Sequence, residues 1–263
     1  MCKVIYLILM SMKIRLSRKA SFIFTIGSNI INLSVLFFLW KNIYHPQQNP
    51  DNLVKFSTVM TSLLLANLLF SLTTTKIEWS ISNEIISGNI ISKLTLPVGY
   101  LQQKMCEYIG SLICNFFTSF LFILIILVTK FSDYIFLSSA PITSLLSIIL
   151  SVIIMFMFDY LTGLTSVLTE SIWGIATIKV CLVSFLSGVV VPLEFFPNQL
   201  KILIRLTPFW YVFQTPIALI TQKMSLGVQL IKLLPQFFWL VILITITILV
   251  SKRALSNLRI NGG

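Results

Sequence analysis

Charge is scarce in this sequence. Only 10% of its 263 residues are charged, against about 25% in a soluble domain. That is too little polar surface to hold the chain in water. One histidine, His45, is present, which excludes a multi-histidine metal site or proton relay. It falls in a short polar loop and reads as a surface histidine. The four cysteines Cys2, Cys106, Cys114 and Cys181 contain no CxxC pair. Cys114 and Cys181 lie in apolar runs, where cysteine behaves as a small hydrophobe. Neither a disulfide framework nor a zinc site is expected, and no metal site of another kind. No glycine is followed by lysine, so a GxxxxGK[ST] phosphate loop cannot be built. HExxH and GxSxG are missing as well, and enzyme activity in this chain is not expected.

Apolar residues dominate instead. They make up 57% of the chain, with a mean hydropathy of +0.96. They come in runs long enough to cross a hydrocarbon core of about 30 Å, which takes about 20 helical residues. Unbroken runs such as Phe116–Thr129 contradict the short alternating strands of a β-barrel. The expected fold is all-α and polytopic, with about six transmembrane helices. The net charge of +11 is explained by basic residues beside spans, where they meet anionic headgroups. Nucleic acid is not an expected partner; membrane lipid is.

Six spans are expected near Ser21–Trp40, Phe56–Thr75, Tyr108–Thr129, Ile142–Leu168, Ile175–Pro192 and Gln236–Val250. Ahead of them, Val4, Ile5, Leu7, Ile8 and Met12 stand among basic residues, which predicts an interfacial amphipathic helix over residues 1–20. Residues 21–263 then form the six-span domain. Between spans 2 and 3 lies a longer polar segment, 76–107. Six spans put both ends of the domain on one side. With that side cytoplasmic, twelve of the nineteen Lys and Arg are inside, and the cluster Lys13–Lys19 before the first span decides the orientation.

Eight acidic residues are scattered along the chain. Only Asp159 is expected deep within a span. An intramembrane carboxylate is either a functional group or one partner of a structural polar pair, and the structural role is favoured. The segment 192–220 needs its own account. Residues 192–216 hold four of the nine prolines, which no single regular helix accommodates. Pro197 and Pro208 are spaced to start two short helices. Such a segment reads as short re-entrant helices between spans 5 and 6, at the outer leaflet. Lys201 and Arg205 are one turn apart and can reach lipid phosphate from one face.

Two segments carry a resemblance. One is Glu84-Ile-Ile-Ser-Gly88-Asn-Ile-Ile-Ser-Lys93-Leu-Thr-Leu-Pro97. The other is Leu186-Ser-Gly188-Val-Val-Val-Pro192-Leu-Glu-Phe-Phe196-Pro197-Asn-Gln-Leu200, followed by Leu206-Thr-Pro208-Phe209-Trp-Tyr211 and Pro216. With six spans and this length, the whole chain resembles the type-2 permease subunits of ATP-binding-cassette exporters. The resemblance implies that the 76–107 loop forms a coupling helix against a separate ATPase, with Glu84, Ser87, Gly88, Asn89, Lys93 and Pro97 at the contact. It implies a gate built from Gly188, Pro192, Phe195, Phe196, Pro197, Pro208, Phe209, Tyr211 and Pro216. It implies a second permease copy, and ATP and Mg bound by the partner ATPase, with no cofactor in this chain. A bacterial plasma membrane is the implied location.

The rival readings are an ion-coupled secondary transporter or channel, and a membrane immunity or assembly protein without transport. The first usually shows several intramembrane ionisable groups and internal repeats. One aspartate supports it weakly, and no repeat is visible. A topology reporter fused after Gly263 is expected to read cytoplasmic; a readout from the opposite side would overturn the six-span arrangement.

Overall fold

Proline sets where several helices begin. Its missing N–H costs nothing in the first turn of a helix, where that donor is orphaned anyway. In the computed structural model, α3 (Pro50–Thr73), α7 (Pro141–Leu164) and α10 (Pro208–Thr221) each start on a proline. Pro197 caps α9 (Asn198–Arg205). The other helices are α1 (Cys2–Leu16), α2 (Lys19–Tyr44), α4 (Ile77–Ile86), α5 (Ile90–Leu94), α6 (Tyr100–Val128), α8 (Trp173–Leu186) and α11 (Leu226–Ser256). The structure describes residues 2–17, 19–44, 50–128, 141–169, 171–192 and 195–256, and within them not the side chains of 2–3, 19–22, 44, 50–55 and 120–128. The His45 loop, Lys130, Asp133, Glu170 and Glu194 therefore lie outside the described residues.

The chain is an all-α polytopic membrane protein. Among the described residues, four stretches are long and apolar enough to span a bilayer, or five if α9 and α10 count as one bent span. The four fall in α2, in α3 with α4, in α7 with its terminal 3₁₀ turn, and in α11. Helix α6 has 29 residues, about 43 Å at about 1.5 Å per residue.

Several expected boundaries shift, among them the start of span 3, which is helical from Tyr100 rather than Tyr108. Span 5, expected to reach Pro192, is helical only to Leu186. Gly188 follows with φ +82°, a left-handed position that ends a helix and favours glycine. The last helix starts at Leu226 rather than near Gln236, and runs through Pro235. Its added turns are held from α7: the Thr143 hydroxyl donates to Gln229 Oε1 at 2.7 Å, and the Ser147 hydroxyl to Gln236 Oε1 at 2.9 Å. Packing overrides the local proline signal.

Helix α7 is the axis of the bundle, packed by α4, α10 and α11. The main core gathers Ile81, Tyr108, Ile154, Phe156, Tyr160 and Phe213 around it, all fully buried. A second cluster joins Leu33, Leu36 and Trp40 of α2 to Phe56, Val59, Met60 and Leu63 of α3. Since helices alternate in direction, the ends of α3, α7 and α11 and the starts of α6 and α8 share one end of the bundle. The 98° bend between α9 and α10 lies beside α7, where Phe209 meets Phe158.

Closest approach is made by missing side chains. A Cβ on Gly163 of α7 would stand 2.7 Å from Ile81 Cβ and 2.9 Å from its Cγ2, so α4 lies directly on α7 there. A Cβ on Gly110 of α6 would collide with the Ser11 hydroxyl and stand 2.8 Å from the Ile8 carbonyl oxygen of α1. The N-terminal helix is thus packed on α6 through its backbone.

Gly163→Ala should lower thermal stability in detergent by about 1–3 kcal/mol, the usual cost of overpacking. Combined with Ile81→Ala, it should cost at least ~1 kcal/mol less than the two changes summed. Strict additivity in that cycle would contradict the contact.

Candidate functional site

The helix carrying α3 breaks off inside the bundle. Lys76 takes φ +60° and ψ +27°, left-handed values that a non-glycine residue adopts only under constraint. A helix end leaves four carbonyls without intrahelical partners. Here side chains from two other helices supply them. Asn115 Nδ2 of α6 donates to Leu72 O at 3.0 Å and to Thr74 O at 2.9 Å. The Tyr108 hydroxyl donates to Thr73 O at 3.3 Å. Arg15 of α1 donates from Nη2 to Thr75 O at 2.6 Å and from Nη1 to Asn115 Oδ1 at 2.8 Å.

Directly below the break sits an ionic cluster. Lys179 Nζ of α8 lies 2.7 Å from Glu78 Oε1 of α4 and 2.8 Å from Asp159 Oδ1 of α7. The Thr75 hydroxyl lies 3.5 Å from Asp159 Oδ2. Glu78 and Asp159 are 3% and 2% exposed. Burying such charges is tolerated only when they are paired. Glu78 Oε2 is buried with no hydrogen-bond partner among the described residues, and a void of about 10 Å³ adjoins the three side chains. Asp159 is thus the α7 member of a three-helix ionic tie. Lys179, near the start of expected span 5, and Glu78, in the polar segment 76–107, are its other members, and both lie within helices.

Beyond this tie, α4 carries the 76–107 segment outward. Its start is buried through Ile77, Glu78, Ile81 and Ser82. Its end turns at Gly88, φ +74°, with Gly88 N–H donating to Ile85 O at 3.1 Å. Ser87, Asn89, Lys93 and Pro97 are exposed on the turn and on α5, while Gly88 is half-buried. Glu84 is turned inward instead. It accepts from Lys104 Nζ at 2.8 Å and from the Tyr100 hydroxyl at 2.9 Å. Lys104, 2% exposed, also meets Glu107 at 2.7 Å. It is therefore an internal cation rather than a headgroup contact. Burial, and next the Glu84 carboxylate, push the Tyr100 phenol well above its ordinary pKa, so it remains a donor. The elbow is a mixed surface on an anchored stem, since Ile86, Ile91, Leu94 and Leu96 are exposed beside its polar residues.

Along α7, against Phe158 and Ser151, α9 and α10 form the bent pair. Phe195 lies against Trp40 of α2, ring centroids 4.7 Å apart. Phe196 packs edge-on against Phe185 of α8 at 5.1 Å and covers Ile204. Phe209 stacks on Phe158 of α7 at 4.9 Å. Pro216 sits inside α10. It has no N–H to offer the Val212 carbonyl four residues back, and the Ser151 hydroxyl of α7 donates to that oxygen instead, at 2.6 Å. Gln236 Nε2 donates to Tyr211 O at 2.8 Å. Gly188 and Pro192 are buried beneath the pair, and Gln214 donates to Ser187 O at 2.9 Å.

A family model described as ABC-2 family transporter protein matches residues 17–262. The chain belongs to the ABC-2 transporter family. No curated protein matches it. An ABC-2 permease is the membrane component of its transporter and is not itself catalytic. In this ABC-2 permease the residues singled out from sequence fall into two separate groups, the elbow and the bent pair. The ionic tie sits on the elbow side. Arg15, Tyr108 and Asn115 carried no sequence signal as carbonyl donors, although Arg15 and Asn115 are polar residues next to apolar runs.

Lys179→Ala should destabilise the permease by about 3–5 kcal/mol, since it strands two buried carboxylates. Replacing Asp159 by Asn in the same chain should recover part of that loss. Thermal unfolding in detergent measures both, and equal stability of wild type and Lys179→Ala would refute the tie.

Proposed function

We propose that this chain is the permease half of an ATP-driven exporter. A separate ATPase binds the elbow, and a second permease copy completes the path. Family membership supports the transporter role. The observation that carries the finer reading is the build of the 76–107 segment. An exposed turn of mixed polar and apolar residues, Ser87 to Lys93 with Ile86 and Ile91, rides on a helix whose other end is keyed to α7 and α8 through Glu78. A force applied at the turn passes through α4 to α7 by way of the Ile81–Gly163 contact, and to α8 by way of Lys179. Such a lever suits nucleotide-driven switching between two packings of the spans. ATP and Mg would be held entirely by the partner. Both ends of the six-span domain would face the cytoplasm of a bacterial plasma membrane, beside that partner.

Purification in mild detergent should yield a co-eluting ATPase. Gly88→Val puts a β-branched residue at φ +74°, which costs about 1–2 kcal/mol locally, and should weaken that co-elution while the chain still inserts. The permease purified away from its partner should show only background hydrolysis. An unchanged complex with unchanged transport in Gly88→Val would count against docking at the elbow.

A further inference from the structure

The bent pair and α3 line a cavity of about 200 Å³. One water needs about 10–15 Å³, so this space holds a group of many atoms. Lys201 and Arg205 line it from α9, one turn apart and on one face. Arg205 is held at the rim by Trp210, its guanidinium carbon 5.1 Å from the ring centroid. That contact limits the rotamers the side chain would lose on binding. Ser62 of α3 and Gln214 of α10 add polar atoms, and Val59 and Leu63 form an apolar wall. Gly188 and Pro192 close the floor.

We infer that this cavity binds the phosphate group of an anionic lipid headgroup. A planar arginine fork beside a point-charge lysine suits a phosphate monoester or diester. The lipid source is favoured by the rest of α9. Ile202, Leu203 and Leu206 are exposed on it, so the helix that offers the two cations also offers an apolar face to acyl chains, as an interfacial helix does. The wall of Val59 and Leu63 then receives the glycerol end of the headgroup rather than bulk solution. The site lies apart from the elbow and does not depend on an ATPase docking there.

The test uses the full chain, with any co-purifying partner, in nanodiscs of phosphatidylcholine alone or with phosphatidylglycerol. Retained lipid is read by native mass spectrometry, and thermal stability is read in both lipids. Wild type should retain phosphatidylglycerol over phosphatidylcholine and gain thermal stability from it. Lys201→Gln/Arg205→Gln should lower that retention at least about tenfold and abolish the added stability that phosphatidylglycerol gives. Arg205→Lys keeps the charge but loses the planar fork, and should fall between the two, which keeps the test valid if the double variant folds poorly. Lys223→Gln/Lys232→Gln, outside the cavity lining, should behave as wild type. Equal retention in wild type and the Lys201/Arg205 variant, or no preference for phosphatidylglycerol, would overturn the inference. So would binding of inorganic phosphate alone that the Lys201/Arg205 variant abolishes, without retained lipid, because it would place the ligand in solution.

Discussion

The structure depends on how the break between Thr73 and Ile77 is satisfied. An apolar bundle offers no water to a helix end, and each unpaired backbone group there costs several kcal/mol. The carbonyls of Leu72, Thr73, Thr74 and Thr75 are all met by side chains from α1 and α6. This single requirement explains several distant choices of residue. Arg15 lies at the end of an otherwise apolar helix, Asn115 lies in the middle of α6, and Tyr108 is fully buried. It also explains why α1 is packed so tightly on Gly110: the N-terminal helix must deliver its arginine to a fixed point. With the break secured, α4 can leave the direction of α3 and cross α7 at Gly163.

The bent pair solves the same problem in another way. Pro216 opens a gap in the ladder of α10, and one serine on α7 closes it. Ser151 in turn accepts from Gln236 Nε2 at 3.1 Å, so α7, α10 and α11 are joined by one short polar chain through an apolar core. The aromatic side chains of the pair do the remaining packing, against α2, α7 and α8. The bundle is therefore held by polar groups placed where the helices are interrupted, and the uninterrupted stretches between them need only apolar contact.

Much of this was legible in the sequence, for physical reasons that differ from element to element. Long apolar runs must be helices in a bilayer, so most spans were readable from hydropathy. Pro197 and Pro208 marked the starts of α9 and α10 because proline is cheap only there. Gly88 marked a turn, and it has positive φ. The ionic tie was not legible. Lys179 follows a turn signal and looks like a flanking cation, and Glu78 sits in a polar stretch; nothing local shows that they meet. Lys104 was hidden likewise, because its partners Glu84 and Glu107 are ordinary loop residues until α4 folds back on α6. The apolar run Val189–Val191 extended span 5 on paper, since hydropathy does not register the backbone conformation of one glycine.

The ionic tie also constrains the order in which the chain can be made. Glu78 precedes its partner Lys179 by 101 residues. Synthesis at about 5–20 residues per second leaves Glu78 without that ammonium for roughly 5–20 s, and Asp159, 20 residues before Lys179, for roughly 1–4 s. Until Lys179 is made, Glu78 and then Asp159 must keep a proton, keep water, or stay outside the apolar interior, because two unpaired carboxylates cannot be buried together. The first helices of the chain therefore cannot reach their final packing as they emerge. They wait for α8, and a short helix late in the sequence completes the fold of segments made long before it.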